Sequence, residues 1–172
     1  MERFCTGDKA AFPILFERYV GRVQAFLRPM VHEPALAEDL TQATFLSIVR
    51  ARDRYTLGAP VGPWILTIAA NAARDALRRR RVERNAPPEA DEPIVHSQPT
   101  DHGLRRELEA ALQELPVSQR EVVVLHKVQG LSFEQVAQAV GITSTAARIR
   151  AHRGYVKLRA LLAHLEDPDE AR

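Results

Sequence analysis

The chain has 172 residues, 45% hydrophobic and 27% charged, a balance that belongs to a folded soluble chain and argues against disorder. No apolar run approaches the roughly 18–20 residues of a membrane-spanning helix, and Glu2, Arg3, Asp8, Lys9, Glu17 and Arg18 leave no secretory signal core expected at the start. A single cysteine, Cys5, excludes an intrachain disulfide and a cysteine-based zinc cluster, so a cytoplasmic chain without direct membrane insertion is expected.

The net charge of +2 conceals a block pattern. Residues 1–84 hold 14 Lys and Arg against 9 Asp and Glu, and residues 105–165 hold 9 against 5. The stretch between, 85–104, carries four acids and no Lys or Arg, and 166–172 carries four acids against one Arg. Two basic blocks parted by an acidic spacer suit two surfaces that meet polyanions.

In chain order, Phe12, Leu15, Phe16, Tyr19, Val20, Val23, Phe26 and Leu27 recur at helical spacing, with Asp8 placed to cap the helix. Pro13 lies deep enough in the first turn to delay the start or bend it. A second helix is predicted from Pro34 to Arg52, with Leu36, Leu40, Ala43, Thr44 and Ile48 in register. The loop "RYTLGAPVGP" follows, and Pro63 opens a third helix, "PWILTIAANAARDALRRRRVER", with Ile65, Ile68, Ala69, Ala72 and Ala76 as its inward face. Residues 83–104 read as a linker, rich in Pro and acid.

Beyond the linker, "LRRELEAALQEL" is an amphipathic helix ended by Pro116. Ser118 with Glu121 three residues on has the pattern of a capping box for the next helix, which Gly130 ends. Ser132 caps "FEQVAQAV", and a long helix runs through "TSTAARIRAHRGYVKLRALLAHL". No segment alternates with period two. The expected fold is all-α: two small helical bundles, 1–82 and 105–165, joined by a flexible linker, with an acidic tail at 166–172.

The last two helices have the grammar of a helix-turn-helix. Ala137 leaves room for a close crossing, Gly141 permits the turn, and Val136, Val140 and Ile142 fill the corner. Ala147, Ala151, Leu158 and Leu162 face the bundle, which turns Arg148, Ile149, His152 and Arg153 outward. An α-helix fits the major groove of B-DNA, where Arg bonds guanine and apolar groups touch thymine methyls. A solvated basic hairpin is the plainer alternative.

Residues 108–162, "LEAALQELPVSQREVVVLHKVQGLSFEQVAQAVGITSTAARIRAHRGYVKLRALL", resemble region 4 of RNA polymerase sigma factors of the extracytoplasmic-function (ECF) type. "AEDLTQATFLSIVRARDRY" and the helix after Pro63 resemble region 2 of the same family, in the right order and separation. The resemblance implies a sigma factor, with residues 1–82 docking on core polymerase and 105–165 reading the −35 element. It implies −35 contacts at Ser144, Thr145, Arg148, Ile149, His152 and Arg153. It implies −10 capture and melting by Thr67, Asn71, Arg74 and Asp75, with Arg78, Arg79, Arg80 and Arg81 holding phosphates. Asp39, Leu40, Gln42, Thr44 and Phe45 match the segment that docks on the coiled coil of the largest polymerase subunit, and the apolar neighbours of Phe45 make it a core residue as well. The polymerase flap region, double- and single-stranded promoter DNA and an anti-sigma factor are the other implied partners. Ile149 stands where a small polar residue is common in the family, and Ala43 where an acid is.

A helix-turn-helix regulator acting apart from polymerase would explain residues 105–165 and leave the Trp64–Arg81 helix without a role. An enzyme is disfavoured: Glu38 and Asp39 point to different sides of a helix, and no metal spacing, phosphate-cradling Gly loop or nucleophile pattern is present. No cofactor or metal is expected.

Overall fold

A computed structural model describes residues 1–83 and 103–165. Among them every regular element is helical: α1 (Glu2–Cys5), α2 (Ala11–Met30), α3 (Pro34–Arg50), α4 (Val61–Glu83), α5 (Gly103–Gln113), α6 (Val117–Val123), α7 (Phe133–Val140) and α8 (Ser144–Leu161). The expected linker lies outside the described residues except at its two ends, and the acidic tail lies wholly outside them.

Asp8 does not cap α2 directly. Its carboxylate accepts the Ala10 N–H at 3.0 Å and pairs with Arg3 at 2.6 Å, ordering the turn before the helix, whose N-cap is Ala10. Pro13 does not delay α2, because it is the third helical residue and its missing N–H would have no partner in the helix. Leu15, Val23, Phe26, Leu27 and Met30 then form the buried stripe. With Pro34 at its first position, α3 ends at Arg50, two residues short of the expected end, and a 3₁₀ turn covers Arg52–Arg54. The buried hydroxyls of Thr41 and Thr44 donate to Ala37 O and Leu40 O of their own helix, both at 2.7 Å, which removes the cost of an unpaired group.

The inward face of α4 differs from the expected one. Leu66, Ala70 and Ala73 are fully buried along with Ile65, Ala69 and Ala76, while Ile68 and Ala72 lie at the edge. The arc is shifted because α4 is covered twice, by α2 and α3 on one flank and by α7 on the next.

In the C-terminal unit the Ser118–Glu121 capping box does not form. Pro116 is the N-cap of α6 and offers no side-chain acceptor, Ser118 is exposed inside the first turn, and Glu121 is turned into the interior at 2% exposure. The helix continues through a π-type turn, Val124–Val128. Ser132 and Gln135 do form a reciprocal box at the start of α7. Gly141 closes α7 in the left-handed region (φ +76°), and Thr143 caps α8 by accepting the Ala146 N–H at 3.1 Å. Where α6 crosses α8, a Cβ on Gly154 would stand 2.7 Å from Val123 Cγ2, so only glycine admits this approach.

The two bundles share one interior. A continuous apolar cluster runs from Leu15 and Phe26 through Leu66 and Ala73 to Val122, Val136 and Ala151. α7 lies on α4, and α2 touches α5, α6 and the π-type turn. Between the units Arg22 donates to Gln129 O at 2.8 Å, Gln113 to Pro29 O at 2.9 Å, and Arg120 to Pro29 O and Met30 O at 3.3 Å each.

Candidate nucleic-acid interface

The outer face of α8 presents Thr145, Arg148, Ile149, His152 and Arg153, all exposed, because Ala147, Ala151 and Gly154 take the opposite side onto α6 and α7. Ser144 is half-buried beside them; it and Thr145 occupy the first turn, after the Thr143 cap. Arg148 is held in place: its guanidinium meets Glu134 at 3.1 Å and lies 5.4 Å from the centre of the Phe133 ring. The Ser144 hydroxyl donates to the same Glu134 oxygen at 3.2 Å. The Glu134 carboxyl is lowered to about 2 by its own backbone N–H, then by hydrogen bonds from Ser132, Arg148 and Ser144. A carboxylate so fully committed stays ionised across the neutral range and holds the Arg148 guanidinium against the start of α7. Sequence reasoning missed Glu134; its position in the first turn after the Ser132 cap was the available signal.

On α4 the expected −10 residues do not form one open stripe. Thr67 is half-buried and donates to Pro63 O at 2.9 Å. Asn71 is exposed, but its side-chain oxygen accepts from Arg74. Arg74 reaches across to the other unit, where Nη1 donates to Val140 O at 2.7 Å, Nη2 to Ala139 O at 3.4 Å, and Nε stands 3.6 Å from Glu121 Oε1. Asp75 and Arg78 pair with each other at 2.9 Å in the open, and Arg79 donates to Asp75 O at 3.3 Å. Arg80 is tied to Glu33 at the head of α3, and Arg81 is half-buried. Of the four consecutive arginines, Arg78 and Arg79 are therefore the most exposed.

Glu121 is the second residue that sequence reasoning missed as a functional group. Burial pushes its carboxyl up to about 7 against the opposing pull of Arg74 and Arg150. Its Oε1 accepts no hydrogen bond among the described residues, so Arg74 faces it as a loose ion pair rather than a bonded one.

The expected docking residues on α3 divide by face. Asp39 and Gln42 are exposed, whereas Leu40, Thr44 and Phe45 are buried, with the Phe45 ring centre 4.6 Å from that of Phe16 and 6.4 Å from that of Phe12. The side chains of Leu40 and Thr44 fill the α2–α3–α4 interior. Leu46 and Val49, both exposed apolar residues, share the face of Asp39 and Gln42 and were not anticipated. No group of His, Cys, Asp and Glu among the described residues has the arrangement of a metal site. None of the described helices is long and apolar enough to cross a membrane.

Comparison with known proteins fits this geometry. Residues 15–83 match the family model for Sigma-70 region 2, and residues 105–158 match that for Sigma-70, region 4. The chain is 54% identical to the RNA polymerase sigma factor CarQ of Myxococcus xanthus over 96% of this chain and 97% of that one. It is 36% identical to the ECF RNA polymerase sigma factor SigE of Mycolicibacterium smegmatis, covering 92% of this chain and 65% of that one. The fold matches that of the sigma factor RpoE in complex with the anti-sigma factor NepR from Bartonella quintana, with a TM-score of 0.77 at 24% identity over 89% of this chain and 97% of that one. A helix-turn-helix unit with an exposed basic face, joined to a helical unit that ends in an arginine-rich helix, thus meets two family models in sequence: the chain belongs to the RNA polymerase sigma factor family, of the ECF type.

Proposed function

We propose that this sigma factor divides promoter recognition between residues 1–82 and 105–165, with 83–104 as the joint. The observation that carries the reading is the unbroken exposed row Thr145, Arg148, Ile149, His152 and Arg153 on a helix that packs by its other side. Arg148 enters the −35 major groove already oriented by Glu134, Ile149 meets a base edge or thymine methyl, and Ser144 and Thr145 bond phosphate at the helix start. On α4, Asn71 and Arg74 take an unpaired −10 base, Thr67 and Asp75 border that pocket, and Arg78–Arg81 hold phosphates. Flipping a base costs a few kcal/mol, which the phosphate contacts offset, each adding about one unit of salt dependence.

Asp39, Gln42 and the adjoining Leu46 form the docking row for the coiled coil of the largest polymerase subunit, and region 4 takes the flap. The chain acts in the cytoplasm, performs no catalysis of its own, and is held in check by an anti-sigma factor, a partner that the complex of RpoE with NepR supports by likeness. Run-off transcription with core polymerase over a promoter library tests the reading. Initiation at defined sites is expected only when this chain is added; no gain over core enzyme alone would overturn it.

A further inference from the structure

Away from the seam where the two units meet, an acidic side chain borders the basic face of α8. Glu134, the second residue of α7, accepts from Arg148 Nη2 at 3.1 Å and from the Ser144 hydroxyl at 3.2 Å, and both bonds fall on Oε1. A carboxylate offers about four lone pairs, so Oε2 keeps capacity for an outside donor, and the side chain is 65% exposed. A second contact fixes the arginine: its guanidinium lies 5.4 Å from the centre of the Phe133 ring, on which the His126 ring stacks at 4.1 Å. Arg148 and Glu134 therefore meet any surface as one couple, a cation and an anion held side by side.

We propose that Glu134 reads DNA together with Arg148: the arginine takes a guanine and the carboxylate accepts from the exocyclic amino group of the cytosine paired with it, so the couple specifies one G·C pair of the −35 element. This rests on the promoter reading above. A guanidinium carries five N–H groups; the bond to Glu134 uses one and leaves a fork for guanine O6 and N7. With Nη2 in bonding reach of that guanine, a carboxylate 3.1 Å from Nη2 lies within about one 3.4 Å base step of the same pair. The bases' donors in the major groove are cytosine N4 and adenine N6, and cytosine is the one that pairs with guanine. Guanine and thymine present acceptors there, which repel a carboxylate. The charge persists on approach, because the carboxyl is lowered to about 2 by its own backbone N–H, then by Ser132, Arg148 and Ser144. Among phosphates a lasting negative charge weakens binding at every sequence, and an amino group facing it reverses that sign. The couple thus selects by rejecting wrong pairs as well as by bonding the right one.

The full-length chain bound to core polymerase is first used to select from duplexes randomised across the −35 element. The parent should enrich a G·C pair that Arg148→Ala no longer enriches, and that pair is then modified chemically. N4-methylcytosine still pairs with guanine but puts a methyl where the groove-facing N–H stood. Binding of the parent to the methylated duplex should fall about tenfold, the worth of one hydrogen bond to a charged group. Glu134→Ala, a change at an exposed side chain, should bind the plain duplex more weakly and lose less than about twofold on methylation, because its contact is already gone. An equal loss on methylation in parent and variant leaves Glu134 as a brace for Arg148 alone and overturns the proposal. So does a variant that binds every sequence more tightly by one common factor, the mark of simple phosphate repulsion, or an Arg148-dependent pair other than G·C. Selection of no Arg148-dependent pair at all would instead sink the −35 reading on which the proposal stands.

Discussion

Replacing Glu121 by Gln tests the account of the seam in one titration. The carboxyl is raised from 4.5 to about 7, mainly by burial, so the folded chain binds a proton more tightly than the unfolded one. The stability linked to that proton is complete below about pH 4.5 and is lost as pH rises through about 7. A rise of that size, at about 1.4 kcal/mol per unit, sets the ceiling near ~3 kcal/mol. Gln keeps the shape and carries no charge. Glu121→Gln should therefore match the parent near pH 4.5 and exceed it by up to ~3 kcal/mol at pH 8. Urea unfolding of both chains at several pH values gives the difference directly. It also cancels the opposing contributions of Asp8 and Glu134, whose carboxyls lie below the ordinary range and which lose stability as pH falls. A difference that stays flat across pH, or a variant weaker at pH 8, would refute the idea that desolvation outweighs the Arg74 attraction.

Three further outcomes are expected. Gly154→Ala places a methyl 2.7 Å from Val123 Cγ2, and overpacking of ~1–3 kcal/mol should exceed the helix-propensity gain of up to ~1 kcal/mol; thermal unfolding should show a midpoint a few degrees lower, and an unchanged midpoint would mean that the α6–α8 crossing yields freely. Asn71→Ala should leave core-polymerase binding intact and reduce open-complex formation, measured by permanganate reactivity; undiminished melting removes Asn71 from its proposed role. Arg148→Ala should lower discrimination between matched and scrambled −35 elements by roughly ten- to a hundredfold, the worth of one bidentate base contact; equal discrimination by parent and variant in transcription assays would reassign the reading face.

The all-α fold was legible because the apolar residues of α2, α3 and α8 repeat at helical spacing and Gly or Pro punctuates nearly every boundary. The exposed face of α8 was legible for the same reason: Ala147 and Ala151 mark the buried side, and Arg148, Ile149 and His152 follow on the other. The seam was not. A cation such as Arg74 on the polar side of a helix looks alike whether water or another unit's carbonyl receives it, and neither pattern nor spacing separates the two. The same blindness misassigned Glu121, whose three-residue distance from Ser118 imitates a capping box while Pro116 already sets the helix start. Leu40 and Thr44 were placed on the docking face by resemblance; their helical angle, on the side of Ala37 and Ile48, already pointed inward.

One feature of the seam bears on how such a protein can change over generations. Each acceptor that Arg22, Arg74, Gln113 and Arg120 find across it is a peptide oxygen, which every residue type carries. Side-chain replacement on the receiving side therefore leaves the acceptor in place, and the two halves need not mutate in step to stay associated. Substitutions confined to the receiving residues can therefore accumulate with these polar links intact, beside the apolar interior that the two units share.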